Sequence, residues 1–198
     1  MKKNVFFLVV LSLFVGGLAN AQVKLGANFG LQIPLGNFLE EIENPYDMGF
    51  GGNITGKYMV TENIGAGLGF GFYYLEFKGG YLINIDFIVP CYDYKEVLRK
   101  GITIMPVTAS GYYYFRKKSF KPYVGVELGA YMMRVSYKYE YDAETETHFG
   151  FAPVVGAQYD LFKSFGLNVN LKESYIFGGT YGICVASINI GIVYTFGK

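Results

Sequence analysis

Few residues in this chain are of a type that does chemistry. His148 is the only histidine. Phe149 and Gly150 follow it, so no serine stands two residues after it. A nucleophile and its base must meet within hydrogen-bond reach, and a serine for that, such as Ser174, is distant in sequence. Glu144 and Glu146 precede the histidine. One imidazole and two carboxylates in an acidic segment make a sparse metal site. Cys91 and Cys184 are the two cysteines. They supply at most one disulfide, and two free thiols is the equal alternative. Glycines occupy positions 65, 67, 69 and 71 of the stretch NIGAGLGFGFYYLEF, residues 63–77. A nucleotide-binding glycine loop has another spacing and opens a helix. The sequence therefore predicts no catalytic residue, no metal and no cofactor.

The elements that would position these residues are strands. The chain of 198 residues is 52% hydrophobic, 19% aromatic and only 17% charged, with 27 glycines. A typical soluble domain carries about 25% charge and about 7% glycine. A net charge of +1 gives no reason to expect a nucleic-acid partner. Residues 1–21 read as a cleavable signal peptide: Lys2 and Lys3, an apolar run from Val5 to Val15, and Ala19-Asn20-Ala21 before Gln22. Its removal takes the net charge from +1 to −1. Beyond it, no apolar stretch is long enough for a spanning helix. Membrane insertion of residues 22–198 would therefore have to be as a β-barrel.

Alternation with period 2 recurs in eight runs: 22–33, 48–60, 63–77, 100–115, 121–136, 148–160, 165–176 and 182–196. Short polar turns join runs 2–3, 4–5 and 6–7. Longer segments, 34–47 and 78–99, join 1–2 and 3–4, and 137–147 joins 5–6. The connection around Gly178-Gly179-Thr180 is a short exception. This is the pattern of an eight-stranded antiparallel up-and-down transmembrane barrel. The polar faces carry mostly Gly, Asn and Ser, which suit a confined interior. An apolar face turned inward would instead give a soluble periplasmic barrel that binds an apolar ligand. In the membrane reading, the glycines of run 3 leave room in a narrow lumen, with Tyr131 a candidate to fill it. Lys57, Glu127 and Lys172 all fall on polar faces, and burial requires Glu127 to pair with at least one lysine. A structural polar plug and an ion-conducting lumen are both compatible with that trio. Tyr58, Tyr159, Tyr194 and Phe196 fit interfacial aromatic belts. The facing of runs 4 and 6 is not set by the sequence.

The C-terminal stretch NIGIVYTF places Asn189, Gly191, Tyr194 and Phe196 at a spacing that resembles the β-signal read by the barrel-assembly machinery. KPYVGVELGAY (121–131) and APVVGAQYDL (152–161) are similar to the small outer-membrane β-barrel domain family, the porin-superfamily group of OmpX-like proteins and OmpA-like transmembrane domains. The resemblance spans the mature chain. It implies a bacterial outer-membrane location, contact with outer-membrane lipids and with the assembly machinery, and a structural or surface-interaction role. Segment 78–99, with its apolar YLINIDFIVPCYDY, is either a partner surface or an extended hairpin. Two further roles known among such barrels are a narrow channel for small solutes and a lipid A-modifying enzyme at the rim. The latter uses a His-x-Ser pattern that His148-Phe149-Gly150 lacks.

Overall fold

The computed structural model describes residues 22–37, 46–77, 99–115, 119–137, 145–178 and 181–196. The signal stretch and Cys91 lie outside them. Eight strands follow one another: β1 (Val23–Asn37), β2 (Gly49–Met59), β3 (Ile64–Glu76), β4 (Arg99–Tyr114), β5 (Phe120–Tyr137), β6 (Thr145–Asp160), β7 (Phe165–Gly178) and β8 (Tyr181–Thr195). Each pairs antiparallel with its sequence neighbours, and β1 closes the sheet against β8 from Lys24↔Thr195 to Asn37↔Ile183. Closure leaves every strand paired on both sides, which is what a sheet needs in a medium without water. No described helix is long and apolar enough to cross a membrane.

The pleat sorts side chains into two sets. Most leucine, isoleucine, valine and phenylalanine side chains point outward: Phe29 is 58% exposed, Leu68 70% and Ile190 61%. Lys24, Gln32, Asn168, Lys172 and Asn189 point inward and are buried. The facing of β4 and β6 follows from their register. Ile102, Ile104, Thr108, Tyr112 and Tyr114 of β4 face the lumen, as do Ala152, Val154 and Gln158 of β6.

β1 runs four residues beyond the expected 22–33. Its pairing with β2 ends at Gln32↔Gly49, while pairing with β8 continues to Asn37. Pro34 is tolerated where the strand pairs on one side only. The register shifts between Pro34 and Gly36, and Gly36 takes φ 114°, a left-handed value that favours glycine.

Outward aromatic side chains form two girdles. At the end of the short turns, Tyr194 contacts Phe165 and Phe196 at 4.9 and 4.6 Å between centroids, and Tyr113 contacts Phe115 at 5.0 Å. At the end of the longer loops, Phe151 stacks on Tyr175 at 4.9 Å and Phe50 leans on Tyr74 at 6.4 Å. Between them lies an aliphatic belt, including Leu167, Val169 and Leu171 of β7 and Ile188, Ile190 and Ile192 of β8. Belt and girdles together are the surface of a transmembrane barrel.

Candidate functional site

The lumen is layered. At the loop end lies an apolar cluster: Tyr73, Leu75, Ile102, Ile104, Tyr131 and Met133, with Ile176 and Val185. At the turn end a second cluster combines Met59, Tyr112, Tyr114, Tyr123 and Val154. Between them lies a polar layer that holds the three charges singled out from sequence.

Glu127 of β5 is buried and accepts two donors. Tyr112 Oη of β4 donates to its Oε1 at 2.8 Å. Lys172 Nζ of β7 lies 3.4 Å from its Oε2 and also donates to Tyr73 Oη at 3.1 Å. Glu127 and Lys172 are two strands apart. Their register partners on β6 are Ala152 and Val154, and the small Ala152 lets the two charges meet. Lys57 of β2 reaches aromatic faces: its Nζ sits 3.8 Å from the Tyr112 ring centroid and 5.0 Å from that of Tyr123. A desolvated ammonium is stabilised by ring quadrupoles in this way.

The hydrogen bonds continue around the wall. Tyr123 Oη donates to Asn168 Oδ1 at 2.9 Å, and Asn168 Nδ2 to Asn28 Oδ1 at 2.8 Å. Asn28 Nδ2 donates to Asn53 Oδ1 at 2.9 Å, and Asn53 Nδ2 to Tyr73 Oη at 3.0 Å. Lys172 links Tyr73 back to Glu127 and Tyr112, whose ring meets Tyr123 edge-on at 5.6 Å. The circuit touches β1, β2, β3, β4, β5 and β7. It skips β8 because Gly191 stands between Asn28 and Asn168 in the register. A Cβ there would lie 2.5 Å from Asn28 Oδ1.

Four lumen glycines make room for tyrosine rings. A Cβ added at Gly150 would lie 2.7 Å from Tyr131 Cε2, and one at Gly156 would lie 2.7 Å from Tyr123 Cζ. Gly125 and Gly51 hold Tyr112 and Tyr73 in the same manner. Tyr131 therefore does not fill the space over the β3 glycines, as the sequence suggested; its ring lies on β6. Gly65, Gly67 and Gly69 instead make room for neighbours from β2 and β4, Met59, Lys57, Thr108 and Ser110 among them. A ring on a strand sweeps over the next strand before it reaches the far wall, and that geometry decided the matter.

At the turn end, Lys121 and Asp160 form an ion pair of 2.6 Å. Lys24 Nζ donates to Gln158 Oε1 at 3.1 Å and lies 4.2 Å from the Tyr114 ring. At the loop end, His148 Nε2 lies 3.0 Å from the exposed Glu146 carboxylate. Glu144 is outside the described residues, and Ser174 is buried in the lumen. Among the described residues no cluster has the ligands for a metal ion. Cys184 is a buried free thiol on the outer parity of β8, and its Sγ donates to Glu173 Oε1 at 3.3 Å.

Asn189, Gly191, Tyr194 and Phe196, singled out near the C-terminus, divide by face. Asn189 is buried, and its Nδ2 donates to Asn170 Oδ1 at 3.0 Å. Gly191 gives the close approach described above, while Tyr194 and Phe196 join the turn-end girdle. Sequence reasoning missed Tyr73, Tyr112 and Tyr123 as the partners of the lumen charges. Tyr112-Tyr113-Tyr114 carries the same residue type on both faces, so nothing in the sequence marked which of them points inward.

A family model for the outer membrane protein beta-barrel domain matches residues 5–196. The chain belongs to this family. Its members' location places the protein in the bacterial outer membrane. Three solved structures show the same fold. Neisserial surface protein A superposes with a TM-score of 0.61 at 15% identity, covering 89% of this chain and 97% of that one. Ail, the attachment invasion locus protein of Yersinia pestis, was solved with the heparin analogue sucrose octasulfate. It gives 0.56 at 13% identity, covering 89% and 99%. The outer membrane protein OprG of Pseudomonas aeruginosa gives 0.54 at 16%, covering 90% and 97%. No curated protein sequence matches the chain.

Proposed function

We propose that this outer-membrane barrel is a structural and surface-interaction protein, non-catalytic, whose lumen is plugged and whose role is carried by its loops. The observation behind this reading is the layering of the lumen. A polar circuit with paired charges lies between two apolar clusters, and Tyr123, Tyr131, Leu75 and Ile176 within them are at most 1% exposed. An interior of about eight strands is only wide enough for side chains. Solute passage is then the weaker reading. Rim catalysis is weaker too: the described partner of His148 is the Glu146 carboxylate and not a hydroxyl, and Ser174 is buried in the lumen. The names of two neighbours, one a surface protein and one an attachment protein, agree with a surface role.

In this reading residues 1–21 are removed on export, both ends of the mature chain face the periplasm, and segment 78–99 is exposed outside the cell for a partner. Asn189, Gly191, Tyr194 and Phe196 act earlier, as the signal for the assembly machinery. An epitope tag placed between residues 138 and 144 tests the orientation. Antibody should label intact cells, and mass spectrometry of the purified protein should find Gln22 at its N-terminus. Labelling only after the outer membrane is permeabilised would overturn the proposal.

A further inference from the structure

The outward face of β1–β3 is not smooth. It carries a groove of about 480 Å³. Gly52 forms its floor. Phe29 and Phe72, the register partners of Gly52 on β1 and β3, stand on either side. Phe50 and Ile54, two residues away along β2, close the groove along the strand. Ala27, partner of Ile54, leaves it open towards the turn end. The walls are bare: Phe29, Phe50, Ile54 and Phe72 are 53–62% exposed.

We propose that this groove binds one acyl chain of a bilayer lipid, as a defined site rather than as part of the general lipid coat. The groove is continuous with the aliphatic belt between the girdles, the surface the barrel turns to hydrocarbon, so lipid chains are what surrounds it. Asn28 and Asn53 also line it, but their amides are turned into the lumen circuit, so the outward side chains of the groove are apolar and none of them selects a headgroup. A chain lying over Gly52 touches protein on the floor and on both walls. A chain beside a convex strand touches it on one side, and dispersion attraction grows with the number of such contacts. A second copy of the protein fits less well. Two-fold pairing sets groove against groove and leaves a void at the centre, where interfaces need close packing.

The test is native mass spectrometry of the full-length barrel released from nanodiscs of palmitoyl-oleoyl phosphatidylethanolamine and phosphatidylglycerol. Ala27→Phe fills the open end of the groove without touching the lumen. Gly52 itself is a poor choice, because a Cβ there lies 2.8 Å from the Asn28 carbonyl oxygen. Val169→Phe adds the same ring to the convex face of β7 as a control. The barrel and the control should each retain one lipid, in a fraction about threefold above that of Ala27→Phe, the factor expected from losing several chain contacts. All three must show the heat-dependent gel mobility of a folded barrel. Equal retention by the three folded proteins would mean an adventitious lipid coat only and would overturn the site. A dimer lost on Ala27→Phe would assign the groove to a second copy and overturn it as well.

Discussion

Glu127 joins the polar layer together, because two donors from different strands end on it. Removing its charge leaves Lys172 buried without a counter-charge. Glu127→Gln should therefore lower stability by about 3–5 kcal/mol, read from urea unfolding of the vesicle-inserted protein. Replacing both partners together, Glu127→Leu with Lys172→Met, should recover part of that loss, since of the three charges in the polar layer only Lys57, held on the Tyr112 and Tyr123 rings, is then left without a carboxylate. Glycines give a second contrast. Gly150→Ala forces a Cβ into the Tyr131 ring and should cost about 1–3 kcal/mol. Gly111 points outward with nothing within 4 Å of an added Cβ, so Gly111→Ala should stay within about 0.5 kcal/mol of wild type.

At the scale of the element, how much the sequence discloses depends on how unlike the two faces of a strand are. β3 alternates glycine with large apolar residues, so both its facing and its extent could be read directly. In β4, Ile102-Thr103-Ile104-Met105 and Tyr112-Tyr113-Tyr114 blur the alternation, and only pairing with β3 and β5 fixes which set points inward. Asn28, Asn53 and Asn168 were legible as polar-face residues. Their meeting was not, because it depends on the stagger of strands around the barrel, which places Gly191 between two asparagines. β7 offers a test of facing and depth together. Arginine in place of Val169, in the middle of the outward belt, should cost about 2–4 kcal/mol, whereas Phe177→Arg near the loop end should cost about 0–1 kcal/mol. Equal costs at the two positions would move the belt away from where β7 places it.

At the scale of the whole molecule, strand number, closure and apolar facing were set by composition and period, and the family match and the structure agree on them. The proposed function turns on how the inside is filled, and that is a property of the closed barrel rather than of any one strand. In the proposed reading, two tyrosine-containing apolar clusters and the polar circuit between them take up the space that a conducting barrel keeps for water. The most direct test is the electrical behaviour of the refolded full-length protein in a planar lipid bilayer, once its heat-dependent gel mobility shows that it is folded. The account predicts a silent membrane across the voltage range at which the bilayer itself is stable. Regular stepwise openings whose size changes on Glu127→Gln would show ions passing through the polar layer, and would contradict it.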